Sequence, residues 1–367
     1  MKIAIIGAKS IPLTKGGGGV ERHVEEFGSR LVLNKNDVVV YVRKRSLKSK
    51  EEEYKGMTLV GLPSIFTKHL DTFTYSLIAS IFVLFQKFDV IHYHGIGPAT
   101  LAWIPRIFKP NAKVVVTFHS LDRFHQKWGI FARIFLRYAE WATVTFPHRT
   151  IAVSRIIQVY SKKYFKKDID YIPNGTDIKK YPGSELIGQF GLEREKYILT
   201  TGRFAPQKGI HYLIRGYKKL DTDKKLVIVG GSAVGSDYEQ YIRELAKGNS
   251  NIIFTGFQTD LVLDQLYANA YLYVHPSEAE GLSMSILEAM AAGRCVLVSD
   301  IPENIESIDH SGFTFCKTDV EDLREKIEGL FDHPEIVKEM GEKGKKWVRE
   351  QYDWGGIVKK IEKVYNS

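Results

Sequence analysis

Strand-like and helix-like stretches alternate along almost the whole chain, and near Lys196 the alternation begins again. Lys2–Gly7, Asp37–Arg43, Asp89–Tyr93 and Lys113–Phe118 read as strands, with shorter ones at Thr150–Ser154 and Asp170–Pro173. A second series follows at Tyr197–Thr201, Lys225–Val229, Asn251–Phe254, Ala270–Val274 and Cys295–Ser299. Runs that are apolar at consecutive positions suit parallel strands, because crossover helices shield both faces of the sheet from water. Helical spacing fills the gaps, near Val20–Leu33, Gly209–Leu220, Tyr238–Lys247, Leu261–Asn269, Ser283–Ala292 and Val320–Phe331. The pattern predicts an α/β fold of two doubly wound domains facing a cleft, and 367 residues suffice for two cores. The domains are expected at residues 1–182 and 183–350, divided where Pro182, Gly183 and Ser184 interrupt the pattern. An amphipathic helix in 351–367 is expected to return to the first domain. Such sheets bind ligands at the carboxyl ends of their strands, so polar and glycine residues just past each strand are the places to search.

Other classes fall away. The longest uncharged apolar run, between Asp71 and Lys87, has 15 residues. That is short of the ~20 a spanning helix needs, and it reads as a buried helix. Two cysteines, Cys295 and Cys316, make neither a disulfide framework nor a zinc site, and suggest a reducing, cytoplasmic setting. Met1–Gly7 reads directly as a strand and not as a leader. Charge is spread unevenly: residues 1–185 hold 29 Lys+Arg against 15 Asp+Glu, while residues 186–367 hold 23 against 28. A basic first half can meet phosphates or an anionic membrane surface. Lys44, Arg45, Lys48 and Lys50 form one cluster, and Lys162, Lys163, Lys166 and Lys167 another. Between them, Trp128–Phe146 mixes aromatics with Arg133 and Arg137. Nucleic acid is not an expected partner, since neither a recognition module nor an aromatic stacking platform accompanies the charge.

Two segments carry the chemistry. In Pro276–Gly293 (PSEAEGLSMSILEAMAAG), Glu280 precedes a glycine that opens a helix, and Glu288 lies about two turns along it. A glycine before a helix N-terminus lets backbone N–H groups approach a phosphate. Glu288 could accept hydrogen bonds from a ribose and Glu280 from sugar hydroxyls. In Thr201–Gly209 (TGRFAPQKG), Arg203 and Lys208 follow a strand and precede a helix, where two fixed cations can neutralise a diphosphate and its departure. His94 and His119 each close a strand. Asp168–Asp170 and Asp221–Asp223 have the Asp-x-Asp spacing of a metal site, but neither falls at an expected cleft-facing strand end. No metal and no other cofactor is expected.

Pro276–Gly293 resembles the signature of family-4 glycosyltransferases of GT-B architecture, and Thr201–Gly209 resembles the segment with which that family binds the donor diphosphate. The resemblance implies two Rossmann-like domains. It places Glu280 at the donor sugar, Glu288 at the donor ribose, and the backbone of Gly281, Leu282 and Ser283 with Arg203 and Lys208 at the diphosphate. Leu282–Ser285 stands where the family often has Phe-Gly-Leu-Pro, and Arg294–Cys295 where Pro-Val is common. Gly16–Gly19 with Glu21 resembles the family's first glycine loop, which brings Gly17 and Gly18 to the donor and Glu21 to the acceptor. Val229–Ser232, with Gly231, looks like the nucleotide-side strand end, and Gly256 with Phe257 stands where the family holds the base. Asn174–Asp177 resembles an Asn-Gly-x-Asp turn expected at the cleft hinge. His119 matches a histidine that points at the donor sugar, and is expected to position substrate. His119–Gly129 and the opening 27 residues are similar to bacterial polysaccharide glycosyltransferases, rhamnosyltransferases included, with Asp122 as an acceptor contact.

The activity so implied is a retaining, metal-independent hexosyl transfer. It runs from a nucleoside diphosphate sugar to a hydroxyl of a glycan or lipid-linked acceptor, in assembly of a cell-surface polysaccharide such as a capsule. The place implied is the cytoplasmic face of the cell membrane. A sugar-nucleotide epimerase of the same architecture would need no acceptor, and a non-catalytic subunit would bind the nucleotide sugar without turnover.

Overall fold

The computed structural model describes residues 1–14, 17–49, 51–67, 70–121, 129–178, 183–232 and 236–367. The chain divides into two compact units: Met1–Asn174 with Trp354–Ser367, and Gly175–Asp353. The chain leaves the first unit at Asn174, ahead of the expected boundary at 182, and re-enters it at Trp354.

Among the described residues, the first unit is built on β1 (Lys2–Ile6), β2 (Asp37–Arg43), β3 (Glu51–Tyr54), β4 (Met57–Leu62), β5 (Val90–His94), β6 (Lys113–Phe118), β7 (Arg149–Ala152) and β8 (Asp170–Tyr171). They lie in the order β3-β4-β2-β1-β5-β6-β7-β8. Ile3, Ile5, Val40, Ile91, Val114 and Val115 are fully buried, as strands covered on both faces require. Pairing is parallel except for β3, which runs antiparallel to β4. The sequence reading missed this pair. Glu51–Tyr54 is acidic and lacks an apolar run, which is the charged character that keeps an edge strand from pairing with another chain.

The apolar run after Asp71 forms the helix Leu70–Phe82, but it is not buried as expected. It covers Tyr75, Ser76, Ala79 and Ser80 and leaves Phe73, Ile81 and Phe82 in solvent. Among the described residues no helix is long and apolar enough to cross a membrane. The C-terminal helix Trp354–Asn366 buries Trp354, Ile357, Val358, Ile361, Val364 and Tyr365, one face at helical spacing. It packs on the helix Gly19–Leu33, and Glu362 accepts from the amides of Asn34 and Asn36 at 2.9 and 3.0 Å.

The second unit holds β9 (Tyr197–Arg203), β10 (Lys225–Gly231), β11 (Ile252–Gly256), β12 (Leu272–His275), β13 (Cys295–Ser299) and β14 (Phe313–Phe315). They pair in parallel in the order β11-β10-β9-β12-β13-β14. The first strand is internal, and the order reverses between β9 and β12. A doubly wound sheet opens its ligand crevice at the carboxyl ends beside such a reversal. The helices Pro302–Ile308 and Pro334–Gln351, and β14, had no counterpart in the sequence reading.

Candidate active site

The two motif loops of the second unit flank its reversal point. Arg203 is the last residue of β9, and Gly231 and Gly256 are the last residues of β10 and β11. His275 ends β12, and Pro276–Ser283 follows it. Parallel strands bring all these ends to one edge of the sheet. The loops are joined by backbone: the Glu278 amide donates to the Gln207 carbonyl at 2.8 Å. Gly209 makes the approach possible. Its φ is +64°, and a Cβ there would sit 1.9 Å from the Pro276 carbonyl oxygen. An L side chain therefore fits neither the conformation nor the space.

Lys208 and Glu280 meet across this junction, Nζ to Oε1 at 2.5 Å. The same oxygen accepts from Ser277 Oγ at 2.6 Å and lies 2.8 Å from His275 Nε2. Burial would raise the Glu280 carboxyl, but the Lys208 charge and the His275 hydrogen bond outweigh it and hold the group well below the ordinary carboxylate range. Burial lowers His275, with only partial compensation from Glu280. Ser277 is fixed from below, since its carbonyl accepts from Ser299 Oγ, to which Asn304 donates at 2.9 Å. Arg203 is half-buried and has no carboxylate partner among the described residues.

Gly281 is half-buried, and Leu282 and Ser283 are buried. Ser283 stands at the N-cap of the helix Met284–Ala291 without a capping hydrogen bond. Its hydroxyl turns instead to Ser285 at 3.0 Å, so no side chain of the cap occupies the first backbone N–H groups. Glu288, half-buried on that helix, accepts from Tyr267 at 3.2 Å. Burial, reinforced by the Glu288 charge, pushes the Tyr267 phenol far up, so it remains a donor. Phe257 follows β11 and is half-buried. The sequence reading assigned no role to His275, Ser277, Tyr267, Tyr273 or Gly209. Tyr273 and His275 are two apart in one strand and so share a face, which is the signal that could have found them.

The first unit gathers a different set. His119, just past β6, lies 3.1 Å by Nε2 from Nδ1 of His94 and packs edge-on to His23 at 5.0 Å between ring centroids. His92 packs at a tilt behind His94, centroids 4.2 Å apart, and bonds Thr117 and Tyr365 at 2.8 and 2.7 Å. His23 is held by Asn174 at 2.9 Å, which gives that residue of the Asn-Gly-x-Asp turn a definite partner. Burial lowers His23 to about 4 and His92, with the His23 charge adding, to about 3; His94 and His119 are also driven well down by burial. All four are neutral imidazoles near pH 7. Nε2 of His23 and of His94 are buried with no hydrogen-bond partner among the described residues. Ring nitrogens of His23, His94 and His119 come within 4.8 Å of one another. That is a donor set a metal could use, although the trio contains no carboxylate to offset a dication.

Glu21 is buried and spent on backbone: Oε1 accepts from the Lys9 amide at 3.0 Å and Oε2 from the Gly18 amide at 2.8 Å. It shapes the glycine loop, and contact with an acceptor would have to use its remaining lone pairs. Gly18 is the N-cap of the helix Gly19–Leu33, and Gly17 donates to the Thr14 carbonyl at 2.8 Å. Asp122, Lys15, Gly16, Lys50, Trp128 and Pro182 lie outside the described residues. The Asp-x-Asp triplets are in use elsewhere: Asp170 takes Arg149 through two bonds of 2.7 and 2.9 Å, and Asp223 pairs with Lys196 at 2.9 Å.

Residues 17–180 match the profile of glycosyltransferase family 4, and residues 184–347 that of glycosyl transferases group 1. An uncharacterized glycosyltransferase of Methanocaldococcus jannaschii is 27% identical over 358 residues, 95% of each chain. Among solved structures, sucrose-phosphate synthase of Thermosynechococcus elongatus aligns with a TM-score of 0.86 at 20% identity, over 100% of this chain and 98% of that one. HepE of Anabaena, in complex with UDP-glucose, aligns with a TM-score of 0.81 at 18% identity, over 100% and 99%. The two profiles together span most of both units, and the chain belongs to the family-4 glycosyltransferases of GT-B fold.

Proposed function

We propose that this glycosyltransferase moves a hexose from a nucleoside diphosphate sugar, held by the second unit, to a hydroxyl of a glycan or lipid-linked acceptor, held by the first. Transfer retains the anomeric configuration and needs no metal. The observation that carries the reading is the position of Arg203, Lys208 and the uncapped N-terminus of Met284–Ala291 on loops beside one sheet's reversal point. As the glycosidic bond breaks, negative charge grows on the diphosphate, and prearranged donors act most strongly at that moment. Lys208 gives one N–H to Glu280, and an ammonium has two more for phosphate oxygens. The acceptor hydroxyl attacks from the face the diphosphate leaves, and the departing phosphate oxygen takes its proton. HepE's complex with UDP-glucose supports a UDP-sugar as the first donor to try.

On the acceptor side, neutral His119 can bond a sugar hydroxyl without a charge to desolvate. The reading extends to cell-surface polysaccharide assembly at the cytoplasmic face of the membrane, with anionic lipid as a partner. Its support is a group of helices on the first unit, in which Leu70–Phe82 packs on Ile96–Ala99 and on Trp103–Phe108, and Ile96–Ala99 packs on Ile130–Thr145. These helices leave Ile107, Phe108, Ile130, Ile134, Phe135 and Trp141 exposed, and Ile130–Thr145 packs on the helix Arg155–Phe165, which carries Lys162 and Lys163 of the basic cluster. Apolar side chains with basic neighbours suit the interface of an anionic bilayer.

The test is thermal stability against a panel of UDP-, GDP- and dTDP-sugars in EDTA. A ligand at a hundred times its Kd adds about 2.7 kcal/mol. One nucleotide should stabilise the wild type but neither Glu288→Ala nor Arg203→Ala. Stabilisation that survives both substitutions, or that none of the panel produces, would refute the donor site.

A further inference from the structure

Glu280 is held unequally by its two oxygens. Lys208, Ser277 and His275 all converge on Oε1, at 2.5, 2.6 and 2.8 Å. No described residue bonds Oε2, and that atom is not among the buried unpartnered ones. An ionised carboxylate only accepts hydrogen bonds, so the His275 proton belongs on Nε2. Nδ1 must then accept, and the Tyr273 hydroxyl stands 3.2 Å from it. Burial raises Tyr273 to about 12, which keeps that phenol protonated and able to donate. Behind it, Thr201 Oγ1 lies 3.2 Å from the Tyr273 hydroxyl and 2.6 Å from that of Tyr267, which donates to Glu288. A buried polar seam therefore runs beneath the strand ends from one motif glutamate to the other.

We infer that His275 is a positioning residue of the donor site: with its proton on Nε2 it fixes Oε1 of Glu280, together with Ser277, and leaves Oε2 as the oxygen offered to the hydroxyls of the donor sugar. The inference rests on the reading of Glu280 as a donor-sugar contact. Tyr273 sets the tautomer by claiming Nδ1. The Glu280 carboxylate can still be ionised without His275, but it loses one of the three bonds that set its rotamer.

Nitrogen-15 NMR of the imidazoles in the full chain tests the tautomer without any ligand. His275 should show a neutral ring protonated at Nε2, unchanged between pH 6 and 8. A ring protonated at Nδ1, or a charged one, would overturn the inference. Turnover tests the role, with UDP and UDP-glucose as probes and release of UDP in the absence of acceptor as readout. His275→Leu should lower kcat by 10-fold or more on the order expected for a misplaced contact, while the Kd for UDP changes by less than about twofold. His275→Gln, whose amide can donate from nearly the same place, should recover most of the loss, and Tyr273→Phe should show a milder one. Equal losses in His275→Leu and His275→Gln would mean packing alone, and parallel loss of UDP binding would mean a collapsed site; either outcome overturns the inference. A wild type that neither binds UDP nor cleaves UDP-glucose would instead count against this donor, while the tautomer would still decide the placement of Glu280.

Discussion

In the first unit the strand order reverses between β1 and β5, and in the second between β9 and β12. Beside each reversal a glycine permits a close backbone approach. Gly7 lies against His94, where a Cβ would be 2.3 Å from the carbonyl oxygen, and Gly209 lies against Pro276. The side chains that fill the two places differ in kind. The first unit presents four neutral imidazoles braced by Asn174, Thr117 and Tyr365. The second presents an ion pair, an arginine and a buried seam between two carboxylates. One scaffold thus carries two sites of different polarity, as the proposed donor and acceptor would require. Uncharged rings suit a hydroxyl that must stay nucleophilic, while fixed charges suit a diphosphate that must be held and released.

Removing the charge from the second unit should produce the largest effect. Lys208→Met leaves Glu280 mostly buried without its counter-charge, and breaking such a pair costs about 3 kcal/mol. Hydrogen exchange should show the loss in peptides of Gly175–Asp353 and leave those of Met1–Asn174 unchanged. An equal loss in both units, or none in either, would erase the contrast. Acid should separate the units by the size of the loss. His23 and His92 titrate near 6.5 when unfolded but near 4 and 3 when folded. The unfolded chain therefore binds more protons below pH 6.5, and stability falls as pH drops from there toward 4, by about 1.4 kcal/mol per unit for each such histidine. In the second unit burial also lowers His275, and His211 to about 4, so that unit loses stability in the same window through fewer groups, while Glu280, also held low, adds a loss only below its ordinary value of 4.5. Exchange measured at pH 7, 6 and 5 should weaken the first unit, with His23, His92, His94 and His119, more than the second, with His275 and His211; an equal loss in both would show that the imidazoles of the first unit are not buried neutral. The smallest effect per residue belongs to the surface. Each lysine near an anionic bilayer adds about 1 kcal/mol. Reversing Lys162, Lys163, Lys166 and Lys167 to Glu should abolish sedimentation with phosphatidylserine vesicles at low salt and leave nucleotide binding intact. A wild type that does not sediment would remove the membrane from the proposal.

What could be read from the residues divides along physical lines. β9, β10 and β13 were legible because a strand covered on both faces is apolar throughout, as KLVIV and CVLVS are. β3 was not, because its acidic residues serve an edge. Pro334–Gln351 was hidden for another reason: its buried face includes Gly341 and Gly344, and Gly341 lies against the backbone of Gly293. Close packing through glycines leaves no apolar period to detect. In the site, Glu280, Glu288, Arg203 and Lys208 stood out through their loops. That Lys208 binds Glu280, and that Glu21 is spent on two backbone amides, are facts of pairing that spacing does not encode. The imidazole cluster was hardest to see, since its members come from a helix, one strand and a loop.

The return of the chain to its starting unit sets an order of events during synthesis. His92 finds its phenol partner 273 residues further along. At about 5–20 residues per second, a ribosome takes tens of seconds to cover that distance. Until then the faces that receive Trp354 and Tyr365 lie bare, while Gly175–Asp353, an uninterrupted stretch, can complete itself as soon as it emerges. The half made first is therefore the half finished last, and for that interval the side chains that Trp354–Asn366 will cover are a surface for a chaperone to shelter.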